Sequence, residues 1–378
     1  MKKMLILSLA AAVCLSSCSV PLNEIPSSSE SSIQETTEES GNYSPINYIR
    51  QTGLWIPYME FEELMYGRSE DDFRRLIRQR FSDALDKGVN TVYLHVHPNG
   101  DAYYESKLFP KGVFLDGSYD PLDIAIDEAH KLGISLHAWL NPLRLQTVQQ
   151  MSALPDGYTT KQWADSPESG FVREVNGRYY LNPAYSEVSD FISAAAAEIL
   201  DNYQVDGIHI DDYFYPTTDP DFDRDAFEAS GASDLAQWRR DNVTRFVKQL
   251  YDTVKSRNND LRFGISPQGN IDANYNTQYA DVKLWSGNKG YADYIIPQIY
   301  YGFNNATLPF EPTLRQWEEL VGNSGVSLVI GLAAYKQGKY DQWAGAVGEN
   351  EWIDDPNVIQ KQIELVKTSR ADGYALYE

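Results

Sequence analysis

Eight short apolar, β-branched runs recur along this chain with amphipathic stretches of helical spacing between them, and that rhythm leaves few folds open. The runs are "GLWIPYM", "NTVYLHVHP", "GISLHAWLNP", "VDGIHIDDY", "LRFGISPQG", "DYIIPQIYYGF", "VSLVIGLAAYK" and "DGYALYE". Helical spacing occupies 72–87, 122–132, 185–203, 234–257, 312–322 and 356–371, with a weaker segment at 279–290. Strands that alternate with helices pair in parallel through right-handed crossovers. Eight of them point to a closed (β/α)8 TIM barrel rather than an open doubly wound sheet. No Gly-rich fingerprint follows the first strand, so no dinucleotide or other cofactor is expected. The last run ends at Glu378, and an eighth helix is missing from the sequence, as expected of a chain cut short after strand eight.

Active sites in such barrels form at the C-terminal strand ends. Side chains alternate along a strand, so Tyr93, His95 and His97 share a face on strand two, and His137, Trp139 and Asn141 share one on strand three. His209, Asp211 and Tyr213 do so on strand four, and Gln298 and Tyr300 on strand six. A purely structural bore would favour Val, Ile and Leu. Polarity converging from four strands exceeds what solvating strand ends requires, and reads as a site.

The sharpest stretch is "VDGIHIDDYFYP", residues 205–216, a buried strand that ends in two aspartates and an aromatic run. Glycoside hydrolysis needs two carboxyl groups, one to protonate the leaving oxygen and one to act as nucleophile or base. Asp211 faces inward and is placed to be one of them. Asp212 turns outward by alternation unless the strand has already ended. The second carboxyl is therefore left among Asp212, Asp101 in "PNGDAYY", and Glu378. Trp139, Tyr213, Phe214, Tyr215, Tyr300 and Tyr301 lie near the same strand ends, where flat rings can stack on pyranose faces; packing beneath the loops is the plainer alternative.

Two other classes compete. His95, His97, His137, His209 and Asp211 carry donor atoms that suit a metal-dependent hydrolase. Yet the chain has only five histidines, none beyond strand four, so half the barrel would supply no imidazole and no metal is expected. A non-catalytic glycan-binding barrel would keep its aromatic lining and lose its carboxylates, whereas Asp101, Asp211 and Asp212 all remain.

Lys2 and Lys3 precede the apolar stretch "MLILSLAAAVCL", which has the length and flanks of a secretory signal. It runs into "LSSCS", which resembles a bacterial lipobox with Cys18 as the lipidated residue. Residues 1–18 thus read as a lipoprotein signal, 19–48 as a disordered acidic spacer rich in Ser, Thr and Glu, and 49–378 as the barrel. The expected setting is extracytoplasmic, membrane-anchored through lipid, in a bacterium. The other cysteine, Cys14, lies inside the signal, so the mature chain has no disulfide. A net charge of −22 repels phosphate backbones and excludes nucleic acid as a partner. Nothing in the sequence speaks to oligomeric state.

From about Gly53 to the end, "GDAYYESKLFP", "AWLNPLR", "YYLNPAYSEV", "VDGIHIDDYFYP", "GISPQGN" and "PQIYYGF" occur in that order. Together they resemble the bacterial glycosyl-hydrolase-like family ten. The resemblance implies a TIM-barrel glycosidase acting on a glycan polymer, with peptidoglycan glycan strands as the substrate class. It also implies site positions at Asp101, Asn141, Arg144, Asn182, Asp211, Asp212, Ser266, Gln298 and Tyr300. His97, His209 and Tyr213 join them as substrate-binding candidates. Two positions depart from the family pattern, His97 where Arg is common and Asn182 where Asp is common; they bear on substrate preference more than on fold. Strand four is also similar to the chitinase-type D-x-x-D-x-D-x-E pattern, but His209 and Tyr213 stand at its second Asp and its acid Glu, so chitinase-like substrate assistance is not expected.

Overall fold

Eight parallel strands close on themselves in this computed structural model, which describes residues 43–378. The signal, Cys18 and most of the spacer lie outside the described residues. The barrel strands are β1 (Gln51–Ile56), β2 (Thr91–His97), β3 (Ser135–Leu140), β4 (Gly207–Ile210), β5 (Arg262–Ile265), β6 (Tyr294–Ile295), β7 (Ser327–Ala333) and β8 (Gly373–Tyr377). β8 pairs with both β7 and β1, which closes the ring.

The main helices follow the first seven strands in turn. They are α1 (Glu70–Asp86), α2 (Pro121–Lys131), α3 (Ser186–Asn202), α4 (Leu235–Arg257), α5 (Val282–Gly287), α6 (Phe310–Val321) and α7 (Val358–Lys367). Each is placed by ordinary local chemistry. In α1, Phe73, Ile77, Phe81 and Ala84 recur on one face and are buried. In α2, Pro121 takes the first helical position while Asp120 caps the free amides of Leu122 and Asp123. α5, where the helical signal is weakest, is the shortest of the seven.

Two separate cores result. The larger fills the layer between strands and helices. The smaller lies inside the bore and consists of Trp55, Tyr93, Trp139, Tyr294, Ile296, Val329 and Ala375. Large rings fit there because small residues face them: a Cβ on Gly264 would stand 1.8 Å from the Tyr294 ring. Between β3 and α3 an antiparallel excursion formed by Arg144–Thr147, Val172–Val175 and Arg178–Leu181 leaves the barrel. It carries Arg144.

Residues 43–48, read from composition as spacer, belong with the barrel. The Tyr43 hydroxyl and the Ile46 amide both donate to Asp206 Oδ1 at 2.5 Å, and Arg262 donates to the Tyr48 carbonyl. Asp206 Oδ2 accepts from the Leu136 amide. This fully buried carboxylate at the lower end of the strands ties the entering chain down and takes no part in a site.

Candidate active site

β4 delivers the two aspartates, and how it ends decides where they point. The Ser266 amide donates to the Ile210 carbonyl at 2.7 Å, and the chain then turns, with the Phe214 amide donating to the Asp212 carbonyl. Phe214 packs on Trp285, and Tyr215 packs on Phe222 and Tyr279. Burying those two rings behind the barrel swings the backbone outward. Strand alternation therefore does not carry on to Asp212, and Asp211 and Asp212 both line one pocket of about 420 Å³ at the mouth. The outward turn expected of Asp212 does not occur.

The two carboxyl groups are held from different sides. Trp139 on β3 donates its indole N–H to Asp211 Oδ2 at 3.1 Å, and the Tyr213 amide donates to Oδ1. Gln298, just beyond β6, donates to Asp212 Oδ1 at 3.2 Å and also to the Ser266 carbonyl. Burial, then the neighbouring Asp212 charge, pushes Asp211 well above the ordinary carboxylate range. Burial raises Asp212 as well, but hydrogen bonds from Gln298, Gln268 and Gln278 favour its charged form. Carboxyl groups that feel each other's charge titrate as a pair, and burial holds both above the ordinary carboxylate range.

Aromatic and cationic groups complete the pocket. Trp55 forms its base, and Tyr58, Tyr300 and Tyr377 are in its wall. His95 lies flat on Trp139 with ring centres 3.7 Å apart. The Arg144 guanidinium sits 4.8 Å over the Tyr213 ring and has no carboxylate within ion-pair distance among the described residues. Its Nε, both His95 ring nitrogens, Asn141 Oδ1 and Ser266 Oγ are buried without a hydrogen-bond partner in the protein. Groups that the protein itself leaves unpaired are available to a ligand or to water.

Several sequence candidates lie elsewhere. A register shift between His95 and His97 breaks the shared face on β2. His97 pairs with Leu140, packs on Phe109 and bonds the Asp101 carbonyl, so it belongs to the layer of helices. His209 is fully buried beneath Trp55, whose N–H it accepts at 3.1 Å. Asn182 is also fully buried, bonding the Gly170 carbonyl and the Ala184 amide, and acts as a turn clamp. Asp101 accepts from the Asn99 amide outside the pocket, with burial raising its carboxyl to about 6. Glu378 pairs with Arg80 and Lys87. Phe214 and Tyr215 are packing residues. Asn141, Arg144, Asp211, Asp212, Tyr213, Ser266, Gln298 and Tyr300 converge on the one pocket. Trp55, Tyr58, Met59 and Tyr377 were not singled out from sequence, although alternation along β1 and β8 turns Trp55 and Tyr377 inward.

As a metal site the histidines do not converge: His97 turns outward, and His137 and His209 both bond the Tyr294 hydroxyl. No group of three metal-ligating side chains occurs among the described residues.

The profile of the glycosyl hydrolase-like 10 family matches residues 53–345. The chain belongs to that family. It is 31% identical over 328 residues to the glycosyl hydrolase DigH of Escherichia coli K12, covering 77% of this chain and 73% of that one. It is 33% identical over 323 residues to the glycosyl hydrolase YngK of Bacillus subtilis, covering 76% of this chain and 60% of the relative. In fold it resembles the glycoside hydrolase domain of PgaB (BpsB) from Bordetella bronchiseptica, with a TM-score of 0.58 at 14% identity over 87% of this chain and 94% of that domain. Family membership makes this chain a glycosidase, and the paired carboxyls in an aromatic mouth are what that activity requires.

Proposed function

We propose that the protein hydrolyses the glycan strands of peptidoglycan from a lipid-anchored position outside the cytoplasm, with Asp211 as general acid and Asp212 as nucleophile or base. The observation that carries the reading is the pair itself: two carboxyl groups in one pocket, held by different partners and both raised above the ordinary carboxylate range, Asp211 the further. The glycosidic oxygen takes the Asp211 proton as its bond to the anomeric carbon breaks. Asp212 either attacks that carbon or takes a proton from the attacking water. Water supplies the hydroxyl that ends on the new sugar terminus, and its remaining proton returns the pair to its starting state.

Arg144 supports an acidic glycan. A cation without an acidic partner, facing a pocket in a chain of net charge −22, suits a carboxylate on the substrate. Muramic acid offers such a group, the lactyl carboxylate, once its stem peptide has been removed. The "LSSCS" sequence supports the location, since a lipid at Cys18 followed by an acidic spacer would hold the barrel near the cell wall.

The test is release of reducing ends from peptidoglycan strands with and without stem peptides. Stripped strands are expected to be cleaved faster, and Arg144→Gln to abolish the preference with a roughly tenfold rise in KM. Equal cleavage of both substrates by the unaltered protein would count against recognition of the carboxylate, and cleavage of neither would end the peptidoglycan reading. Cys18→Ser is expected to move the protein from the membrane to the soluble fraction; unchanged fractionation would remove the anchor.

A further inference from the structure

Next to the catalytic pocket lies a second depression of about 360 Å³, and the two share Gln298 and Tyr300 in their walls. Trp343 lines the second depression and is 80% exposed. A lone exposed apolar side chain is ordinary on a protein surface. This one sits on a turn that is tied down from several sides. Asp341, itself 4% exposed, accepts from the Trp343 amide at 3.3 Å and from Lys336 Nζ at 2.8 Å. Lys336 also donates to the Tyr300 carbonyl at 2.9 Å, which links the tryptophan's turn to the residue shared by both pockets. The Ala306 amide donates to the Ala344 carbonyl at 2.8 Å, joining the turn to the loop that bounds the depression on its other side. That loop is fixed in turn by Glu351, whose two oxygens take the Phe303 and Asn304 amides.

A flat apolar ring is thus held in water by a buried acid and a half-buried lysine, next to the catalytic pocket. Tyr301 offers a second ring, and Gln268, Asn305 and Thr307 offer polar groups at the scale of sugar hydroxyls. Flat aromatic faces with nearby amides and hydroxyls suit a pyranose, whose axial C–H bonds pack on the ring while its hydroxyls meet the polar groups.

We propose that the depression under Trp343 is a sugar subsite, continuous with the catalytic pocket through Gln298 and Tyr300, that binds the glycan chain one or more units beyond the bond being cut. The proposal rests on the glycosidase reading above and deepens it: the substrate is a run of sugars, and length beyond the scissile unit contributes to binding. Binding energy gained away from the reacting bond appears chiefly in KM.

The experiment compares peptide-stripped peptidoglycan strands of many repeats with a fragment a single repeat long, following both cleavage and binding by calorimetry. Trp343→Ala is expected to raise KM for the long strands about tenfold with kcat nearly kept, and to weaken their binding by a similar factor. Trp343→Phe keeps a stacking face and restores most of the loss. On the short fragment Trp343→Ala tracks the unaltered protein, and its melting temperature is unchanged because the ring buries little. Long strands cut and bound equally well by Trp343→Ala would overturn the subsite and leave the hydrolase standing. So would an equal loss on long and short substrates. Long strands that bind in a Trp343-dependent way without being cut would sink the peptidoglycan-hydrolysis reading and leave the subsite. Neither binding nor cleavage would sink both.

Discussion

The bore of this barrel has two polar layers that look alike in sequence and behave differently in space. In the lower one, Trp55 donates to His209 Nε2 at 3.1 Å, which leaves the His209 proton on Nδ1 to meet the Tyr294 hydroxyl at 3.2 Å. That hydroxyl donates to His137 Nδ1 at 2.7 Å, while Tyr93 donates to Gln51. Burial holds both imidazoles neutral, His137 being pushed down to about 3. Of these histidine, tyrosine and tryptophan groups only His137 Nε2 lacks a partner. In the upper layer the partners run out: His95, Asn141, Arg144 and Ser266 all hold unpaired buried atoms around two carboxyl groups with raised pKa. Polar residues facing a bore mark its interior. Polar residues left unsatisfied there mark the site.

The contrast can be broken at either layer. At the mouth, Asp212→Asn is expected to cost at least three powers of ten in turnover, roughly the scale of losing an essential catalytic group, and to leave the melting temperature equal or higher. A buried carboxylate with a raised pKa destabilises the fold at neutral pH, so neutralising it relieves that cost. Loss of activity with a falling melting temperature would make Asp212 structural.

The loop that carries the pair outward is pinned by Arg239 and Asp223, both fully buried, with Arg239 also donating to the Asp219 carbonyl at 2.7 Å. Arg239→Ala strands a buried carboxylate and should cost about 3–5 kcal/mol in denaturant unfolding. A cost below about 1 kcal/mol would show that the loop is held by its aromatic packing instead. In the floor, Tyr294→Phe leaves His137 and His209 without their shared hydroxyl and should cost about 1–3 kcal/mol, with kcat within a few-fold of normal. A large loss of kcat there at unchanged stability would bring the floor into the chemistry.

The floor also sets a pH dependence. His137 is neutral in the fold down to about 3, whereas an unfolded imidazole takes up its proton near pH ~6.5. The unfolded chain therefore binds more protons between those values, and stability falls as pH drops through that window. His137→Gln removes this share, so its stability should fall less steeply on the acid side. The mouth carboxyls act in the opposite sense: the fold keeps their protons longer, and stability falls as pH rises above the ordinary carboxylate range. Parallel acid-side slopes for His137→Gln and the unaltered protein would contradict a neutral floor.

How much of this was legible in the sequence follows from which forces are local. Helix and strand periodicity placed the eight barrel strands and the seven main helices, since each buries its own face, but not the antiparallel excursion that carries Arg144. Asp211 was legible by alternation on β4. Asp212 was not, because its direction depends on Phe214 and Tyr215 being buried against Trp285, Phe222 and Tyr279. His97 was misplaced by a bulge that no residue in "YLHVHP" announces. His209 faced the bore as expected, yet was satisfied by partners from β1 and β6, a matter of registers between distant strands. Residues 43–48 read as spacer by composition because their partners, Asp206 and Arg262, lie far along the chain. Trp343 had no local signal.

The most direct test of the proposed division of labour uses two substrates built on the same glycan fragment, one with the natural sugar leaving group and one with an activated aryl leaving group that needs no proton. Turnover of Asp211→Asn and Asp212→Asn is measured on both. If Asp211 is the acid and Asp212 the nucleophile or base, both variants are nearly dead on the natural bond, Asp211→Asn recovers most of its rate on the aryl substrate, and Asp212→Asn stays dead on it. Recovery by Asp212→Asn while Asp211→Asn remains inactive would contradict the assignment.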